Sequence, residues 1–224
     1  MIPFAPLMEQ EEAEGPRGRY RKTEQTRARI LDAALEVFGE HGYERGSLRE
    51  VAQRAGISQA GLLHQYPNKV ALLSAILERR DARAGELVGS ETLDITSLLT
   101  IVEYARASSH APFEIDLFAV LSAEATREDH PANDYMRRRY GWAASTFDEI
   151  FREVAAAGQL TPGTDPTELT SQFIALWDGL QIQWLLKVND VDIADRLESF
   201  LNLHLVRPLR ELAAEQEHLR PRAS

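Results

Sequence analysis

The chain has 224 residues, 44% of them hydrophobic, enough for a sizeable packed core in one large domain or two small ones. The absence of cysteine excludes a disulfide framework and a thiolate metal site and fits a reducing cytoplasm. Apolar runs of only a few residues fall far short of the roughly 18 needed to span a bilayer, so no membrane contact is expected.

The net charge of −10 is unevenly spread. Residues 16–69 hold ten Lys or Arg against six Asp or Glu, a balance of +4, and the rest carries −14. Phosphate attraction is local and is screened beyond about 10 Å, so a nucleic-acid contact is expected at one end only.

In chain order, residues 1–22 read as a flexible tail. Its apolar start turns acidic at Glu9, Glu11, Glu12 and Glu14, the reverse of a signal peptide. Arg17, Arg19, Arg21 and Lys22 then form a basic arm, which either enters a minor groove or is a soluble leader. A first helix from about Thr23 to His41 carries Ile30, Ala33, Ala34, Val37 and Phe38 at the spacing of one apolar stripe, and Gly42 is placed to stop it. Ser47 and Glu50 have the spacing of a capping box, so a short second helix starts there and ends near Ala55-Gly56. Ser58 caps a third through about Gln65, the Tyr66-Pro67-Asn68 break ends it, and Asn68 caps a long fourth helix reaching the Gly85–Gly89 region. Further helices are expected near 93–109, 113–128, 132–158, 166–188 and 191–214, separated by Pro112, Pro131, the turn at 161–166 and Asn189-Asp190. No period-two strand run is present. The expectation is an all-α fold of about nine helices: a helix-turn-helix unit at 23–69, a larger helical domain at 70–215 and a frayed tail at 216–224.

The segment from Leu48 to Gln65 carries the functional signal. Two helices that cross closely need a small residue at the contact, which Ala52 supplies, and a turn residue tolerant of positive φ, which Gly56 supplies. Val51, Ile57 and Leu62 are the apolar pins. The spacing fits a DNA-binding helix-turn-helix and also an ordinary helical hairpin.

The surroundings sharpen this. Ile30-Leu31-Asp32-Ala33-Ala34, Phe38, Gly42-Tyr43, Val51-Ala52, Ala55-Gly56-Ile57-Ser58 and Tyr66-Pro67-Asn68-Lys69 followed by Ala71-Leu72-Leu73 together resemble the TetR family of regulators over roughly residues 23–77. The rest of the chain is similar in length, helicity and helix order. Two positions depart from the family pattern: Gly46-Ser47 stands where a threonine pair is usual, and Leu63 where an aromatic commonly touches the DNA backbone, a contact that would shift to His64 or Tyr66. The resemblance implies base-edge contacts from Gln59, Ala60 and His64, with Gly61 allowing close approach to the groove. It implies phosphate contacts from Ser47, Arg49, Ser58, Tyr66 and Lys69.

Twelve of the seventeen aromatic residues lie after residue 80, including all three tryptophans. The stretch from Phe173 to Leu186 is apolar on nearly every side and must be covered twice. The resemblance implies a homodimer whose last two helices pair across a two-fold axis. Ala175, Gly179 and Ile182 on one helix and Leu197, Leu201 and Leu205 on the next are the expected interface. A pocket for a small-molecule effector, lined by Tyr104, Phe118, Trp142, Phe147, Phe173 and Trp177, is implied in the same way. Asp178, Gln181 and Gln183 interrupt the apolar helix and need partners, either as a hydrogen bond across the dimer or in ligand recognition. No basic cluster marks this body as specific for an anionic effector, and its aromatics suit an apolar or flat molecule.

A single short recognition helix reads few base pairs, so two copies on half-sites about 34–36 Å apart, on a near-palindromic duplex, are expected. Effector binding is expected to tilt the fourth helix, which joins the two domains, and so release the DNA. The six histidines lack metal-ligand spacing, and no phosphate loop or nucleophile elbow is present. No enzyme activity, cofactor or metal is expected. A regulator without a small-molecule ligand, controlled by a protein partner or constitutive, is the other reading.

Overall fold

The computed structural model describes residues 16–88, 93–109, 112–188 and 190–219. Ten helices run in order: α1 (Pro16–Arg45), α2 (Leu48–Arg54), α3 (Gln59–Gln65), α4 (Lys69–Val88), α5 (Ile95–Ser108), α6 (Pro112–Glu124), α7 (Asn133–Ala156), α8 (Pro166–Leu185), α9 (Ile193–His204) and α10 (Leu209–Leu219). None is long and apolar enough to cross a membrane.

Most boundaries have the physical causes expected. Gly42 takes φ 73° and breaks the path of α1. Ser47, Ser58 and Asn68 cap α2, α3 and α4 by accepting from the backbone N–H groups of Glu50, Gly61 and Ala71 at 3.2, 3.0 and 2.8 Å. Only half of the expected capping box forms, because the Glu50 carboxylate turns to Arg54 at 2.8 Å instead of back to Ser47. α1 begins at Pro16, so the backbone of the expected basic arm, 17–22, forms its first turns.

The helix expected over 191–214 is two. Pro208 cannot continue α9. The link folds against the loop before α8, where Thr161 N–H donates to the His204 carbonyl at 2.9 Å and Val206 N–H to that of Gln159 at 3.0 Å. Asn202 Oδ1 then caps α10 through Leu209 N–H at 2.8 Å. This makes ten helices instead of nine.

Two apolar cores result. One joins Ile30, Ala34, Val37 and Phe38 of α1 with Val51, Ala52 and Leu62 of the helix-turn-helix, Leu72, Leu73, Ile76 and Leu77 of α4, and Leu117, Phe118 and Leu121 of α6. The other is built from α5, Ile115 of α6, the C-terminal half of α7, and α8 to α10. The N-terminal head is therefore anchored on α6 as well as on α4, and α1 packs most extensively on α6. Gly39 makes this possible, since a Cβ there would sit 3.3 Å from the Phe113 carbonyl oxygen.

Leu197, Leu201 and Leu205 are 0%, 1% and 5% exposed and fill the core of their own chain, which corrects their assignment to a dimer interface. The stripe on α8 differs: Ala175 and Ile182 are exposed and Gly179 is half-buried, with Leu186 exposed one turn beyond.

Candidate nucleic-acid interface and effector pocket

The turn between α2 and α3 is made by Gly56 at φ 68°, with Ile57 N–H closing onto the Ala52 carbonyl at 3.0 Å. Of the expected pins Val51 and Leu62 are buried and Ile57 is half-buried, with Ala52 buried at the contact, which leaves the opposite face of α3 outside. Gln59, Ala60 and His64 all stand exposed on it, together with Leu63. Three donor, acceptor and methyl groups on one outward helix face match the edges a major groove presents. Gly61 has a local role as well: a Cβ there would lie 3.2 Å from Ser58 Oγ, the oxygen that caps the helix.

Of the expected phosphate contacts, Ser47, Arg49 and Ser58 are exposed and Tyr66 is half-buried against the head core. Burial is the largest cause holding the Tyr66 hydroxyl above its ordinary range. Lys69 needs correction. Its Nζ donates to the Glu44 carbonyl at 3.0 Å and lies 4.6 Å from the Tyr43 ring centroid, and burial lowers its pKa. It ties the end of α1 to the start of α4 instead of standing free for phosphate. Arg54 is likewise committed, to Glu40 at 2.6 Å and Glu50 at 2.8 Å, so the positive balance of the head overstates its free cations. Glu40, His41 and Glu50 form the one cluster with metal-ligand proximity among the described residues, and Arg54 already bridges its carboxylates.

A cavity of about 90 Å³ opens in the body between α5, α6, α7 and α8. Of the residues expected to line it, Tyr104, Phe118, Trp142, Phe147, Trp177, Asp178 and Gln181 do so. Phe173 does not. It is wholly buried behind the wall, its ring 5.1 Å from Phe147 and 5.9 Å from Trp177. Ile101, Arg139, Tyr140, Ala143, Thr146 and Ile174 complete the lining and were missed.

Two of these had a signal. Arg137-Arg138-Arg139 is a basic run on α7, of which Arg139 lines the cavity and lies 5.1 Å from the centroid of Phe118. Asp178 advertised its need for a partner, and that partner is Tyr140, whose hydroxyl donates to Oδ2 at 2.7 Å within the same chain. Burial, then this bond, push the Tyr140 hydroxyl well above its usual range. Gln181 is 7% exposed, whereas Gln183 is exposed and needs no protein partner.

An exposed recognition helix set on a helical body with an aromatic cavity defines a helix-turn-helix DNA-binding regulator. Residues 30–76 match the family model for bacterial regulatory proteins of the tetR family, and residues 101–210 match that for the C-terminal region of BetI-type transcriptional repressors. The chain belongs to the TetR family of transcriptional regulators. It is 28% identical over 184 residues to the transcriptional repressor KstR of Rhodococcus jostii, covering 80% of this chain and 82% of the relative. The fold is shared with SmeT in complex with triclosan (TM-score 0.64, 19% identity, 82% of this chain and 93% of that one). It is also shared with FadR of Bacillus subtilis in complex with stearoyl-CoA (TM-score 0.63, 19% identity, 79% and 96%).

Proposed function

We propose that the protein is a homodimeric repressor that holds a near-palindromic operator and is released when a small molecule fills the cavity beside Trp177. The observation that carries this reading is the pairing of an outward α3 face, Gln59, Ala60 and His64, with a cavity walled by aromatic rings in the same chain. Gln59 pairs with adenine, Ala60 meets a thymine methyl, and His64 takes a base edge or the adjoining backbone. Ser47, Arg49, Ser58 and Tyr66 fix the register on phosphates. The exposed stripe Ala175, Gly179 and Ile182 is the surface on which two copies join.

Solved relatives holding triclosan and stearoyl-CoA support a ligand-responsive body and leave the ligand's chemistry open, since the two differ widely. The cavity favours this reading over a regulator with no small-molecule ligand. Release results if the effector binds the DNA-incompetent arrangement more tightly than the competent one. Selection of bound duplexes from a random pool, followed by light scattering of the complex, tests the proposal. The expected result is an inverted repeat carrying an even number of chains. An asymmetric site bound by one chain contradicts it.

A further inference from the structure

Helix α8 buries one amide that the rest of the chain leaves unanswered. Gln181 is 7% exposed, and among the described residues no hydrogen bond reaches its side chain. An amide carries two donors and an acceptor, and burying it without partners is costly. Its neighbourhood shows where a partner fits. Gln181 lines the cavity of about 90 Å³ and, on its other side, a second cavity of about 20 Å³. Tyr104 and Trp177 border both spaces as well, their ring centroids 6.5 Å apart and edge to face, so these three side chains form the partition.

The two spaces differ in size and chemistry. The larger is walled mainly by rings, and its two charged groups are of opposite sign: Arg139 lies on Phe118 and Asp178 accepts from Tyr140. It is smaller than the roughly 150 Å³ apolar cavity that holds benzene in another protein, which sizes its guest at one aromatic ring. The smaller space has room for a single oxygen-sized group, since a water needs only about 10–15 Å³. Its polar lining is Gln181, the Glu114 carboxylate and the Ser108 hydroxyl, whose own proton goes to the Tyr104 carbonyl at 2.8 Å. That set offers acceptors and one mixed amide, and a hydroxyl, donor and acceptor at once, satisfies it. A carboxylate would meet the like charge of Glu114. An ammonium, having no acceptor, would leave the Gln181 N–H groups unpaired and would share the larger cavity with Arg139.

We propose that the site takes a small neutral molecule with one aromatic ring and one hydroxyl, the ring in the larger cavity against Trp177 and the hydroxyl at the partition on the Gln181 amide. Gln181 then selects the molecule, and the aromatic walls hold it without telling one ring from another. This rests on the reading that the cavity takes an effector.

Calorimetric titration of the protein, without DNA, compares p-cresol with toluene, which differ by the hydroxyl alone, and with benzoate and benzylamine as charged probes. A purely apolar cavity favours toluene, which leaves water more readily. The proposal predicts the reverse order, p-cresol tighter than toluene by about fivefold or more and tighter than both charged probes. In Gln181→Leu the order inverts, with toluene bound at least as well as in the parent. If that variant does not fold, Gln181→Met is held to the same criterion. Toluene or a charged probe preferred by the parent, no binding of either neutral probe at millimolar concentration, or a preference for p-cresol that survives loss of the amide overturns the proposal. Repeating the titration on the complex with the selected duplex separates the two readings: p-cresol that binds through Gln181 and leaves the DNA complex intact upholds this site and contradicts release by an effector.

Discussion

Tyr140 on α7 donates its hydroxyl to the Asp178 carboxylate on α8 across the edge of the cavity, at 2.7 Å. The bond makes one wall of the pocket part of the stability of the fold. Tyr140→Phe removes this donor while keeping the ring on Phe118. The expected cost is about 1 kcal/mol, below the roughly 1.5–3 kcal/mol of a bond to a charged group because the pair is only half-buried, and urea unfolding at neutral pH measures it.

The same bond has an alkaline signature. Burial and Asp178 raise the Tyr140 pKa above its ordinary value of 10.0, so the folded chain keeps a proton the unfolded chain gives up. Its contribution is complete below about pH 10 and is lost as pH rises through the folded value. Stability measured from pH 9 upward should fall less steeply in Tyr140→Phe than in the parent. An unchanged slope would show that the hydroxyl titrates normally.

Lys69 and Arg49 separate head stability from phosphate contact. Lys69→Met is expected to lower the melting temperature and to leave the salt dependence of DNA binding unchanged, because Nζ is engaged by Glu44 and Tyr43. Arg49→Ala is expected to leave stability alone and reduce the slope of log K against log salt by about one. Thermal melts and salt titrations of both variants check the division.

On α8, Gly179 has nothing within 4 Å of where a Cβ would stand, so within one chain there is open space at the start of a larger side chain. If a second copy packs on Ala175, Gly179 and Ile182, then Gly179→Leu and Ile182→Glu shift the protein to monomer, with monomer stability preserved. Sedimentation velocity over a concentration series gives the answer. A dimer that survives both changes uses another face.

Core and pocket aromatics should also separate. Phe173 is wholly buried, and Phe173→Ala is expected to cost about 3–5 kcal/mol. Trp142 is 46% exposed at the cavity, and Trp142→Ala should change stability far less while altering ligand-induced stabilisation. Chemical denaturation and a thermal-shift screen measure the two effects.

The helices of the head were legible because their causes are local: Ser47, Ser58 and Asn68 each cap the helix that starts beside them, and Gly42 and Gly56 take the positive φ their positions require. The choice of Gln59, Ala60 and His64 came from the family resemblance, and all three stand outside because Leu62 of the same helix faces inward. The features that escaped depend on contacts distant in sequence. The break between α9 and α10 turns on Pro208, which sits inside an otherwise continuous apolar stripe, and on pairing with the 159–161 loop. Leu197, Leu201 and Leu205 show a stripe whose spacing reveals that it is buried but not whether its own chain or a partner buries it. Lys69 had the neighbours of a phosphate ligand, yet a carbonyl and a ring 25 and 26 residues earlier take its ammonium. The lining residues Tyr140 and Arg139 lie on the margin of an amphipathic helix, where periodicity does not separate pocket from surface.

Base reading by α3 is tested most directly by the ratio of affinities for the selected duplex and a scrambled one of equal length, at fixed salt. For Gln59→Ala and His64→Ala that ratio should fall by about fivefold or more each, matching the roughly 1–3 kcal/mol carried by a base contact, while Arg49→Ala weakens both duplexes alike. Equal losses on both duplexes for all three variants would contradict it.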